Sequence, residues 1–207
     1  ALDLPGFGGA SPEPGSAPAP VGSPGYAALV APVLDACTQP VVILGHSFGA
    51  RVALHLAAEH PQRIKALVLT GAPFKFASDL AAGRPPLSFR MVRWLHRRRL
   101  VSDARMDALR RSRGSADYNA ASAIMRPVLV AAVNEDYSAQ LAAIRAAAIA
   151  VEFVHGEADA AAPLAGARRA AELIGSTARL TVVPGGSHFL PSTHASVLRE
   201  AIERVLT

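Results

Sequence analysis

The chain has 207 residues, enough for one sizeable hydrophobic core with room for an inserted subdomain. Its residues are 51% hydrophobic and 18% charged, a balance that suits an α/β domain built on a buried parallel sheet. A single cysteine, Cys37, excludes an intrachain disulfide, and no apolar run approaches the roughly 20 residues of a spanning helix. The net charge of +5 comes from a local excess of arginine.

Residues 1–25 are rich in Gly, Pro, Ser and Ala, and Asp3-Leu4-Pro5-Gly6-Phe7-Gly8 reads as a loop leaving a strand end. The run on to Pro24 has too much Pro and Gly for regular structure. Ser23-Pro24 offers an N-cap and a first-turn proline, so a helix is expected from there to about Cys37, kinked or shortened at Pro32. Val41-Val42-Ile43-Leu44 reads as a buried strand, 48–59 as a helix that ends before Pro61, and Ile64 to Leu69 as the next strand. Short β-α-β connections of this kind imply neighbouring parallel strands and a right-handed crossover.

From Phe74 to about Tyr137 the β/α alternation gives way to Arg-rich amphipathic segments. Residues 74–138 are expected to form a helical insertion over the C-terminal edge of the sheet, between core segments 1–73 and 139–207. Leu87, Met91, Trp94 and Leu95 recur there at helical spacing and are expected to pack in a small core or face a cleft. The alternation resumes with a helix near 139–147, a strand at 149–154, a helix at 163–174, a strand at 179–183 and a terminal helix from about 192 to 206. Cys37, near a helix end, is expected to act as a small buried or half-buried hydrophobe.

Gly45-His46-Ser47-Phe48-Gly49 joins a strand to a helix. A strand, a sharp Gly-x-Ser-x-Gly turn and a helix describe a nucleophile elbow, in which Ser47 stands clear of the backbone at the positive end of a helix dipole. Both glycines are expected to be required for clearance in that tight turn. A serine hydroxyl is a poor nucleophile at neutral pH, so it needs a base, and the base needs an orienting acid. Two later strands end in His155-Gly156-Glu157-Ala158-Asp159 and in Pro184-Gly185-Gly186-Ser187-His188-Phe189. In a parallel sheet these turns share one edge with Ser47. Glu157, Glu135 and Asp136 are alternative acids. His46 is expected to pack or hydrogen-bond within the elbow, and His155 and His194 to lie in a loop and on a helix surface. The histidines and acids show no metal-ligand spacing, and Gly6 and Gly8 open no helix of the phosphate-binding kind.

The loop at 3–8, the elbow at 45–49, the acid loop at 155–159 and the histidine loop at 186–188, in this order, resemble the α/β-hydrolase superfamily, in the capped branch of small esterases, carbon–carbon bond hydrolases and cofactor-free haloperoxidases. The resemblance implies a mostly parallel, doubly wound α/β sheet with a helical cap. It implies Ser47 as nucleophile, His188 as general base and acid, Asp159 as its orienting acid, and the Phe48 amide as one oxyanion donor. A serine at position 47 argues against the epoxide and halide chemistry of members with an aspartate nucleophile. Such proteins normally begin with three further strands, and a His-Gly loop that supplies a second oxyanion donor. This chain opens at Ala1 near the end of the fourth strand, so the N-terminal strands are expected to be absent. Val41–Leu44 should then present an apolar edge.

Arg84, Arg90, Arg93, Arg97, Arg98, Arg99, Arg105, Arg110, Arg111 and Arg113 crowd one part of the insertion, offset by Asp103 and Asp107. They are expected to form a solvated helical face, with attraction of anionic substrates as a second reading. No nucleic-acid or membrane partner is expected. The leading expectation is a cytoplasmic serine hydrolase that acts without cofactor or metal on a small carboxylic ester or related carbonyl compound. Carbon–carbon bond hydrolysis and perhydrolysis would use the same residues. The rivals are a ligand-binding or signalling protein on this scaffold and a non-functional truncated fragment.

Overall fold

The structure, a computed structural model, describes residues 1–7, 22–76, 87–113 and 125–207. The Pro- and Gly-rich run at 8–21 and Arg84 fall outside these residues, as do the side chains of Leu87, Arg90, Asp107, Arg110, Arg111 and Arg113.

Helix α1 spans Gly22–Asp35 and ends one turn past Pro32. Strand β1 (Val41–His46) leads into α2 (Phe48–Glu59), and β2 spans Ile64–Thr70. Among the described residues four helices follow: α3 (Leu87–Arg97), α4 (Asp103–Arg113), α5 (Met125–Ala132) and α6 (Ser138–Ala146). The chain then runs through β3 (Ala150–Gly156), α7 (Leu164–Ile174), β4 (Ala178–Val183), α8 (Leu190–Thr193) and α9 (Ala195–Leu206). The expected terminal helix is therefore two helices. The Ser192 and Thr193 hydroxyls both donate to the Phe189 carbonyl, and the chain leaves helical geometry at His194 (φ −138°). His194 bonds Thr193 at that junction and does not sit on a continuous helix surface.

The four strands are all parallel and lie side by side in the order β1-β2-β3-β4. Alternation along each strand sends side chains to two faces. Ile43, Leu67, Leu69, Val151 and Phe153 pack with α1, α2, α6 and α7, while Val42, Val68 and Val154 pack with α9. Glu152 faces α9 too, and is buried there against Arg204, whose guanidinium approaches it at 3.0 Å. Helices thus cover both faces, as continuous apolar strands require. Among the described strands β1 is outermost, and Leu44 on it is 45% exposed.

β2 and β3 are direct neighbours although α3 to α6 intervene between them. Met91 and Trp94 of α3 are 60% and 50% exposed. The expectation that they pack in a core or face a cleft is corrected for these two, which lie largely exposed. No described helix is long and apolar enough to cross a membrane.

Candidate active site

Parallel strands bring their C-terminal ends to one edge. His46, Thr70 and Val154 stand in register across β1, β2 and β3, and Gly156 pairs with Val183. Ser47 follows the end of β1, Asp159 follows β3, and His188 follows β4.

The chain reverses at Ser47, which holds φ +50°, a rare conformation for a residue with a side chain. Its amide donates to the Thr70 carbonyl at 2.9 Å, which anchors the turn to β2. Gly45 is required on steric grounds, because a Cβ there would lie 2.7 Å from Ala50 Cα. Gly49 is different. A Cβ there meets nothing within 4 Å, so the expectation that both glycines provide clearance holds only for Gly45. Gly49 faces the cavity described below.

His188 lies between Ser47 and Asp159. Its Nδ1 is 2.9 Å from Asp159 Oδ2, and its Nε2 is 3.1 Å from Ser47 Oγ. A carboxylate only accepts, so Nδ1 carries the proton and Nε2 is left to accept from Ser47. The Asp159 side chain is 1% exposed, and its second oxygen accepts from the amides of Ala161 and Ala162 at 3.0 and 2.8 Å. The loop thus fixes the acid before the histidine meets it. None of the other candidate acids takes this place. Glu157 accepts from the Gly185 amide, Asp136 from Ser138, and Glu135 from Ser23 and Tyr137.

Further residues brace this arrangement, and one of them, Gly71, was not singled out in the sequence. Gly71, just past β2, has φ +57°, and a Cβ there would lie 3.1 Å from both His188 Cε1 and His46 Nε2. Its signal in the sequence was a glycine directly after a strand end. A Cβ on Gly156 would lie 2.3 Å from the Gly186 carbonyl oxygen, so the acid and histidine loops touch backbone to backbone. The Ala158 amide donates to that same carbonyl at 2.9 Å. His155 is buried, where a loop position was expected. It ends β3 from within, and its Nε2 bonds the Ala162 carbonyl, bracing the acid loop. His46 Nε2 donates to the His188 carbonyl at 2.9 Å, as expected of a residue bonding within the elbow. Burial, the dominant influence, holds His46 below the usual histidine range and keeps it neutral.

A cavity of about 710 Å³ opens beside Ser47. Leu2, Leu4, Phe7, Phe48, Met125, Leu129 and Phe189 give it mainly apolar walls, and Asp3, His46 and His188 add polar ones. Phe48 stacks on Phe7 with ring centres 5.0 Å apart, and Tyr26 meets it edge-on at the same distance. The Tyr26 hydroxyl donates to the Pro5 carbonyl, so residues 1–7 are held over the elbow. The Phe48 amide opens α2, where no helical carbonyl can accept from it.

A parallel sheet that presents a strained serine, an aspartate and a histidine from the C-terminal ends of its strands is the architecture of α/β hydrolases. The chain belongs to that superfamily, and within it to the family described as "Serine aminopeptidase, S33", which matches residues 1–192. A 2-hydroxymuconate semialdehyde hydrolase of Pseudomonas putida is 30% identical over 184 residues, 84% of this chain. The chain spans 65% of that relative's length. Among solved structures, a thermophilic esterase from Thermogutta terrifontis matches with a TM-score of 0.62 at 21% identity, over 99% of this chain and 79% of its own. A bromoperoxidase from Bacillus anthracis matches with a TM-score of 0.67 at 20% identity and the same coverage. At such identities the structures speak for the fold alone.

Proposed function

We propose that this chain carries the active site of a serine hydrolase that cleaves a small carboxylic ester or a related carbonyl compound. The unbroken relay from Asp159 through His188 to Ser47 is the observation that carries this reading. Ser47 Oγ attacks the carbonyl carbon as His188 Nε2 takes its proton. The imidazolium that forms is stabilised by the buried Asp159 carboxylate. Charge gathers on the former carbonyl oxygen, and the Phe48 amide donates to it at the positive end of α2. The intermediate collapses, and His188 returns the proton to the departing alcohol. Water then gives a proton to His188 and attacks the acyl-enzyme, which releases the acid and restores Ser47.

The cavity walls support an apolar acyl or leaving group. In this reading residues 1–73 and 139–207 are the catalytic core and 74–138 a helical cap, since Met125 and Leu129 of α5 line the cavity. The likeness to a 2-hydroxymuconate semialdehyde hydrolase favours a second reaction on the same residues. There the acyl carbon is parted from a carbon leaving group of a β-diketone-like substrate.

Intact-mass spectrometry after exposure to a fluorophosphonate tests the assignment. One adduct on the native chain, absent from Ser47→Ala, is expected. A native chain without an adduct overturns the reading. Rapid multiple turnover of short acyl esters then separates a hydrolase from a ligand-binding protein on this scaffold, for which slow turnover with retained product is expected.

A further inference from the structure

The exposed side of α3 was expected to be a solvated cationic face above packed apolar residues. Met91 and Trp94 are instead outside. At 100° per residue, Met91, Trp94 and Arg98 share one side of the helix, and Arg93 and Arg97 flank it. All five are exposed. The helix ends in two backbone bonds, Arg99 amide to His96 carbonyl and Leu100 amide to Leu95 carbonyl, both 2.9 Å. This is the six-to-one closure usually made with glycine, here with Arg99 at φ +60°. It holds Leu100 outward, 70% exposed, beside Arg98 and Arg99. The Arg98 guanidinium rests 4.5 Å from the centre of the Trp94 ring. Asp103, the acid that opens α4, is taken up by His96 at 2.7 Å, so among the described residues it neutralises none of these arginines.

We infer that α3 and the turn after it dock on an anionic phospholipid surface, lying in the interface. Met91, Trp94 and Leu100 enter the acyl boundary, and the flanking arginines lay their stems along it with their charges among the phosphates. Tryptophan suits this depth, because its ring is apolar and its N–H is polar. The arginines alone would fit any polyanion. Three large apolar side chains set among them have no use on a phosphodiester backbone, and bury well in a bilayer. At about 1.5 Å per residue, an eleven-residue helix is too short to span and long enough to lie flat.

Trp94 is the single tryptophan of the chain, so the native protein carries its own reporter. The full chain is titrated with vesicles of phosphatidylcholine and phosphatidylglycerol in equal parts, and with vesicles of phosphatidylcholine alone. A blue shift of Trp94 emission and protection from acrylamide are expected with the anionic vesicles only. Apparent affinity should fall by about tenfold or more as salt is raised and the phosphates are screened. Met91→Asp combined with Leu100→Asp keeps the reporter and changes only exposed positions. It should lose about tenfold in affinity, as should Arg93→Glu with Arg97→Glu, with far-UV circular dichroism unchanged. No blue shift with anionic vesicles overturns the inference. So does an equal shift with a DNA duplex at matched charge, or undiminished binding by the aspartate pair. Binding is read without turnover, so the role of Ser47 does not bear on the result.

Discussion

Gly71 has no room for a side chain. Its φ of +57° costs an alanine about 1–2 kcal/mol, and the added methyl would press on His188 Cε1 and His46 Nε2 at 3.1 Å. The ring of His188 can yield only by moving away from Ser47 or Asp159. A displacement of about 1 Å between reacting groups typically costs on the order of a hundredfold in rate. The methyl is cleared by a shift of a few tenths of an ångström, so Gly71→Ala should slow fluorophosphonate labelling by less than that, about tenfold, while its melting temperature drops only by several degrees. An unchanged labelling rate would remove Gly71 from the support of the histidine. The contrast with Gly49 is instructive. Both glycines of the elbow look alike as letters, yet only Gly45 meets a neighbour's backbone, because which way a Cβ points is set by a turn whose φ no pattern reports.

The sheet that gathers the site at its strand ends leaves β1 with one open side among the described strands. Leu44 lies on that strand, on the α9 side, and is 45% exposed. An exposed apolar position on an outer strand invites pairing with another chain, and a charge there opposes it. Leu44→Lys should raise the concentration at which the protein stays monodisperse in light scattering and leave fluorophosphonate labelling intact. Aggregation at the same concentration as the native chain would show that β1 is not the sticking surface. Strands and core helices of this kind were legible in the sequence, since Val41–Leu44, Ile64–Leu69 and their flanking prolines and glycines act locally. The break between α8 and α9 was not, because it depends on two hydroxyls turning back to one carbonyl. The burial of His155 was hidden for a similar reason, its partner being the carbonyl of Ala162 on the loop beyond. Ser47, Asp159 and His188 were legible through their motifs and through the rule that parallel strands end together. Gly71 and the exposed side of α3 were not, since each is defined by what does or does not pack against it.

Across the whole molecule the buried titratable groups fix how stability answers to acid. His46 lies by the site. His55 lies on α2, with Nδ1 near Gln140 and Glu59 and a buried Nε2 that meets no acceptor. Burial pushes both below 6.5, the value an exposed histidine keeps when the chain unfolds. Between the folded and unfolded values the unfolded chain binds more protons, so stability rises with pH there. Their contribution is complete above pH 6.5 and is lost as pH falls below it. Glu135 acts lower. Burial pushes its carboxyl up, but the bonds from Ser23 and Tyr137 outweigh this and hold it below 4.5. Its contribution is present above pH 4.5 and is lost as pH falls through its lower folded value. The melting temperature should thus be level from pH 8 to 6.5, fall in a first limb below that, and fall again below 4.5. His55→Gln removes one titrating group from the first limb and leaves Glu135 its bonds to Ser23 and Tyr137. Calorimetric melts across this range should show a shallower first limb in the variant and a second limb only slightly altered, since the charge of His55 is the least of the influences on Glu135. A first limb of undiminished slope would mean that protons taken up elsewhere govern the acid response, and that His55 is buried without consequence for it.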